Sequence, residues 1–201
     1  MMYDGLPECV TVDGVEYPIE TDFRVWVELY DRICNGSTNG DKANALLRFI
    51  SDAGLPLEPG SVDAIMQFFT CGAQGEGKAG GVSTPVFDFV RDSEYIYAAF
   101  LETYGIDLTH DPLHWQSFIA LFRSLPDTCQ ICKIMHYRSA KMEDVPKHQK
   151  RFYAEMKRKY ALNGSNQGKT LKEYVEELKK QQAERQVPAL RSGEQPGDDC
   201  T

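Results

Sequence analysis

Three sets of residues in this chain have the types that chemistry needs. The first is Cys129-x-x-Cys132 with His136 four residues on. Two thiols and an imidazole are ligands that suit zinc, but a structural zinc site needs four ligands, usually as two such pairs. Only His148 lies nearby as a fourth, and Cys71 is distant in sequence. If the segment is helical, Cys129 and Cys132 share a face. The plainer reading is a pair of buried or half-buried thiols on an amphipathic helix. The second set is His110 and His114. Asp111-Pro112 puts a helix start between them, and no glutamate stands where a zinc-protease motif requires one. His114, beside Trp115, reads as a packing or capping residue. The third set is the carboxylates Asp88, Asp92, Glu94, Glu102 and Asp107. Asp92 is better used as a helix cap and Glu102 on a solvated helix face. No serine or cysteine stands in a nucleophile motif, so nucleophilic catalysis has no visible carrier. The chain is read as non-catalytic, without a cofactor.

Two stretches invite a ligand by composition. Cys71 to Gly81 is rich in glycine, but Gly77-Lys78 is followed by Ala79, so the hydroxyl that would hold magnesium in a phosphate loop is missing. It reads as a linker. From Lys133 to Tyr160, nine basic residues face three acidic ones, a net +6 in a chain whose total is −8. The remainder therefore carries −14. Tyr137, Phe152, Tyr153 and Tyr160 lie within this stretch and could stack on bases. Overall acidity argues against a general nucleic-acid binder. The favoured reading is docking onto acidic surface of the same chain or of another subunit.

The 201 residues are 42% apolar, enough for one sizeable core. No apolar run approaches the roughly 20 residues that span a bilayer. The N-terminus lacks a basic region followed by an apolar stretch, so no signal peptide is expected. The six cysteines are accordingly read as thiols.

The elements that must position these residues are mainly helical. Val10 to Tyr17 alternates around Asp13-Gly14, a strong hairpin signal, because both turn positions tolerate positive φ. A helix over Phe23–Ile33 follows, with Thr21 or Asp22 as its cap and Phe23, Trp26, Val27 and Tyr30 on one face. The loop Asn35 to Gly40 leads to a helix opened by Asp41, with Ala45, Leu46, Phe49 and Ile50 inward. Ser61 is expected to cap a short helix carrying Val62, Ile65, Met66 and Phe69. Val86 to Val90 is a short strand or an extended lead-in. A helix over Ser93–Tyr104 is capped by Asp92 and stopped by Gly105, with Ile96, Ala99, Phe100 and Thr103 on one face. A helix over Pro112–Ser124 is capped by Asp111, with Trp115, Phe118, Ile119 and Phe122 as its stripe. Further helices are expected over Cys129–Tyr137, Lys147–Leu162 and Leu171–Arg185. Residues 1–8 form a flexible N-terminus, 9–140 the helical domain, 141–186 a helical extension, and 187–201 a disordered tail.

The run from Tyr95 to Leu108 (YIYAAFLETYGIDL), followed by Leu113-His114-Trp115 with an aromatic three residues on, resembles a family of tailed-phage proteins called bacteriophage gene product fifteen. Val12 to Leu29 (VDGVEYPIETDFRVWVEL) is similar to that family's opening, and Phe68 to Gly72 (FFTCG) to its middle. The resemblance covers Val10 to Arg138. Members are encoded just before the tape measure gene in some long-tailed phages (siphoviruses), which implies a tail assembly chaperone. Such a protein would hold the tape measure protein in the host cell's cytoplasm until the tail tube protein displaces it. That task requires a reversible groove for apolar stripes on a long helix. Amphipathicity places the groove at Tyr95, Tyr97, Phe100, Trp115 and Phe118. A second stripe, Leu171, Tyr174, Val175 and Leu178, suits self-association. The other readings are a minor tail protein retained in the virion and a zinc module built on Cys129, Cys132 and His136.

Overall fold

The structure is a computed structural model that describes residues 5–35, 38–71 and 86–162. It is mainly helical, as expected, with one N-terminal hairpin. Strands β1 (Cys9–Val12) and β2 (Val15–Pro18) pair antiparallel, with Val10 opposite Tyr17 and Val12 opposite Val15. Asp13 at φ 49° and Gly14 at φ 83° make the turn, as the Asp-Gly pair predicts. Val10 and Val12 are buried, and β1 packs on helix α3 (Pro59–Phe69). Gly60 eases that approach: a Cβ there would lie 3.3 Å from the Val12 side chain, which would have to give by a few tenths of an ångström.

Helix α1 (Phe23–Asn35) buries Phe23, Trp26, Leu29 and Ile33. Leu29 takes a place on the core face, and Tyr30 is only half-buried. Helix α2 (Asn39–Asp52) starts two residues before the expected position. Thr38 is the cap, because its side chain accepts from the Asp41 N–H while the Asp41 carboxylate accepts from the Thr38 N–H. Leu46 and Ile50 are its fully buried residues. Helix α3 also starts early, at Pro59. Ser61 is therefore inside the helix, not its cap, and its buried hydroxyl donates to the Pro56 carbonyl at 2.6 Å.

Helix α4 spans Ser93–Tyr104 and stops at Gly105, at φ 68°, as the sequence predicts. Ile96, Ala99 and Phe100 face inward, whereas Thr103 is exposed. Residues 86–92 form turns that lead into it, so the lead-in reading holds over the strand reading. Helix α5 is shorter than expected, Trp115–Arg123. The His114 ring nitrogen accepts from the Gln116 N–H at 3.1 Å and so is the cap. Asp111, expected in that role, instead accepts from the Asp107 N–H at 2.8 Å. Backbone bonds from Phe23 N–H to Leu113 and from Trp115 N–H to Thr21 tie the starts of α1 and α5 together. Helix α6 (Gln130–Ser139) packs on α4, and α7 (Lys150–Lys159) packs on α6. All described residues belong to one compact unit. The glycine-rich linker beyond Cys71, the helix over Leu171–Arg185 and the tail lie outside the described residues.

The core sits where α1, α3, α4 and α5 meet. Trp26 stacks on Phe68 at 4.6 Å, Phe23 on Phe118 at 4.6 Å, and Phe100 on Phe118 at 5.1 Å. Phe89 closes over Trp115, Phe118 and Phe122. A buried indole needs a partner for its N–H. Trp26 donates to the Glu20 carbonyl at 2.8 Å and Trp115 to the Phe69 carbonyl at 2.9 Å.

Candidate functional site

The aromatic faces expected to form a partner groove divide by depth. Phe100, Trp115 and Phe118 are at most 1% exposed. Phe100 and Trp115 are core residues, and the groove reading is corrected for them: Trp26, Phe69 and Phe89 pack on Trp115, and Tyr104 and Phe118 pack on Phe100. Tyr95 and Tyr97 are half-buried. Tyr95 packs edge-on against Tyr160, the residue that ends α7, at 6.4 Å. Tyr97 faces a separate cavity between α1 and α4.

That cavity has a volume of about 550 Å³ and is lined by Phe23, Val27, Phe89, Ile96, Tyr97 and Leu108, with Phe118 also reaching it. Ser93, Glu94 and Thr109 add exposed polar groups to the lining. Arg24 fixes one wall. Its guanidinium donates to the Asp22 carboxylate at 2.7 Å and to the Leu108 and Asp111 carbonyls at 2.9 Å each. It also lies 4.9 Å from the Phe23 ring centroid. Arg24 thus ties α1 to the 105–112 connector and holds Leu108 beside Phe23. The connector itself is set by Asp107, whose carboxylate accepts from the Thr109 N–H and hydroxyl and contacts the His110 ring at 3.0 Å. These bonds, Thr109 first, hold the Asp107 carboxyl at about 2, below its ordinary 3.8.

A second groove of about 550 Å³ runs between α1, α2 and the end of β2. Its lining includes Glu20, Glu28, Arg32, Arg48 and Asp52. Arg32 pairs with Glu28, and Arg48 lies 3.8 Å from Asp52. This groove is charged where the α1–α4 groove is apolar.

The carboxylates Asp88 and Asp92 are both buried, and both are structural. Asp88 Oδ1 accepts from the Val90 and Arg91 N–H groups at 2.9 Å, and Oδ2 from Asn35 Nδ2 at 3.2 Å. Asp92 occupies the cap position of α4, but its carboxylate does not cap the helix. It receives a forked pair of bonds from Arg138 at 2.6 and 2.9 Å and a third from the Asp88 N–H. Side-chain exposures of 8% for Arg138 and 3% for Asp92 make this a buried ion pair. Arg138 further donates to the carbonyls of Val86 and Tyr160. One side chain therefore joins the start of α4, the preceding turn and the end of α7. Within the sequence, Arg138 was one of nine bases in a charged stretch. Its partner is 46 residues away, and nothing local marks it.

The candidate zinc ligands have other tasks. Cys129 is buried, with Sγ 3.5 Å from the Thr103 hydroxyl. The Cys132 thiol contacts the Leu125 carbonyl at 3.8 Å. Burial pushes Cys132 up, and the neighbouring Cys129 and the Asp127 carboxylate add to that, which opposes the thiolate a metal requires. His136 Nε2 lies 3.1 Å from the Tyr153 hydroxyl. Among the described residues no three histidine, cysteine or acidic side chains converge as a metal-binding group. The five described cysteines are thiols; Cys200 is outside them. Burial also raises the Tyr30 phenol and the Cys34 and Cys71 thiols.

Among the described residues no helix is long and apolar enough to cross a membrane. No curated protein and no solved structure matches the chain. The family model described as Bacteriophage Gp15 protein matches residues 2–162. The match runs past Arg138, the end of the span that the resemblance covers, and takes in α7. The chain belongs to the Bacteriophage Gp15 protein family.

Proposed function

We propose that this phage protein is a non-catalytic tail assembly chaperone that holds the tape measure protein in the host cytoplasm before the tube forms around it. The observation that carries this reading is the apolar groove between α1 and α4. Its lining of Phe23, Val27, Phe89, Ile96, Tyr97 and Leu108 suits the apolar stripe of an amphipathic helix. Exposed polar residues beside it suit a contact that opens again, because non-obligate interfaces keep a polar, wet rim. A tape measure protein must form a long helix before it has a tube to line. Its apolar stripe would aggregate unless a partner covered it. The partner-binding residues are thereby revised to Tyr97 and its neighbours on α1 and the connector.

Co-expression with the tape measure protein, followed by size-exclusion chromatography, tests the reading. Co-elution is expected, with the tape measure protein soluble only when this chain is present. Val27→Glu or Tyr97→Glu, at half-buried positions in the groove, is expected to return the tape measure protein to the pellet while the variant stays folded. A tape measure protein that aggregates regardless would overturn the proposal. Detection of this chain in purified virions would instead support a minor tail protein.

A further inference from the structure

The described surface is electrostatically two-ended. The hairpin and α3 form one pole. Residues 5–23 and 54–71 contain no lysine or arginine, while Glu8, Asp13, Glu16, Glu20, Glu58 and Asp63 lie in them. All six are at least partly exposed. Residues 147–159 form the other pole, with Lys147, Lys150, Arg151, Lys157, Arg158 and Lys159 against the single acid Glu155; Glu143 and Asp144 lie just ahead of them. Among the described residues, none of these six bases is ion-paired with a carboxylate. Lys157 donates to the Ala140 carbonyl, and Lys159 lies over the Tyr160 ring. Of the basic stretch that charge alone suggested would dock on acidic surface of its own chain, Arg138 does so, on Asp92, whereas these six bases meet no carboxylate among the described residues. The two poles are far apart in the packing order: the hairpin touches α3, and α7 touches α6.

Each pole also exposes apolar side chains. Phe152 on α7 is 49% exposed, Val15 at the hairpin tip 53%, and Leu57 ahead of α3 64%. Complementary charge around a small apolar centre is the anatomy of a protein contact. Because the two surfaces differ, such a contact between copies would be head-to-tail and would leave one pole of each kind open at the ends of a series.

We propose that the α7 face docks on the hairpin–α3 face of a second copy of this chain, giving head-to-tail self-association. The occupant is a second copy because the acidic surface with matching exposed apolar residues is present on this molecule itself. This inference does not depend on the chaperone reading.

Charge-swap sedimentation of the full chain tests it. Arg151→Glu/Arg158→Glu reverses the outward face of α7, and Glu8→Lys/Glu16→Lys reverses the hairpin. All four positions are exposed, and among the described residues none makes a side-chain hydrogen bond or ion pair, so circular dichroism should show both variants folded. Wild-type association should grow with protein concentration at about 50 mM salt and weaken by at least about tenfold at about 500 mM. Each double variant alone should sediment as a monomer. An equimolar mixture should associate again, since each supplies the pole that the other reversed. A wild-type chain that is monomeric at low salt overturns the proposal. So does association that survives both reversals, or a mixture that remains monomeric. Capture of duplex DNA by a monomeric wild-type chain would assign α7 to nucleic acid and likewise overturn it.

Discussion

Two aromatic clusters occupy this molecule, and they differ in depth. In the first, Trp26, Phe68, Trp115, Phe118 and Phe89 are covered by α1, α3, α5 and the turn before α4, and all are buried. In the second, Tyr137 meets Phe152, Tyr153 and Tyr160 across α6 and α7. That cluster is flanked by lysines and arginines, and α7 buries none of its residues fully. Ring-to-ring distances are similar in the two, so aromatic contact alone does not decide what a cluster does. The number of layers over it decides. A cluster packed on both sides is core, and one packed on a single side is surface held together by its edges.

The contrast can be tested by truncation. Trp115→Ala should have the largest effect, a loss of about 3–5 kcal/mol of stability, since it removes a buried indole and leaves the Phe69 carbonyl without its donor. Urea unfolding checks it, and a loss below about 1 kcal/mol would break the distinction. Arg138→Ala follows closely. It leaves Asp92 charged and buried without its fork, at a cost of about 3–5 kcal/mol, and should also free the end of α7 from its Tyr160 tie. Limited proteolysis should cut in the α6–α7 connection first. Thr38→Ala, which removes one half of the α2 capping box, should cost about 1 kcal/mol. Phe152→Ala, in the exposed cluster, should change stability by about 0.5 kcal/mol or less, and a core-sized loss there would erase the comparison.

The smallest expected effect is electrostatic. Asp107 is half-buried and its carboxyl is held at about 2. A lowered folded-state value means that its contribution is present above the unfolded carboxylate range and disappears as pH falls from about 4 through about 2. A carboxyl NMR titration should show the low midpoint in the wild type and a rise toward the ordinary value in Thr109→Val.

Much of this fold was legible because its signals are local. The Asp13-Gly14 turn, the span of α4 and its Gly105 stop each depend on residues within a few positions of one another. The helix starts were less legible, since Thr38, Glu58 and His114 took cap positions that the sequence assigned to Asp41, Ser61 and Asp111. For α5, the backbone bonds from Thr21 and Phe23 to residues 113–115 moved the start past Pro112. Long-range electrostatics was not legible at all. Asp92 carries every local mark of a cap, and only the arrival of Arg138 from α6 turns its carboxylate away from the helix. For the candidate site, amphipathicity named Tyr97, which lines the α1–α4 groove. Phe100 and Trp115 were placed with it because spacing identifies the apolar face of a helix, not how many layers cover that face. Phe23, Val27 and Leu108 joined the groove only through tertiary packing.

Hydrogen exchange on the complex with the tape measure protein tests the central claim most directly. The claim is that a half-exposed groove between α1 and α4, rather than the sealed aromatic cluster, receives the partner. Protection gained at residues 23–28, 94–98 and 106–109, with no change in α3, would agree with it. Protection confined to α7, or spread through the core as global stabilisation, would contradict it.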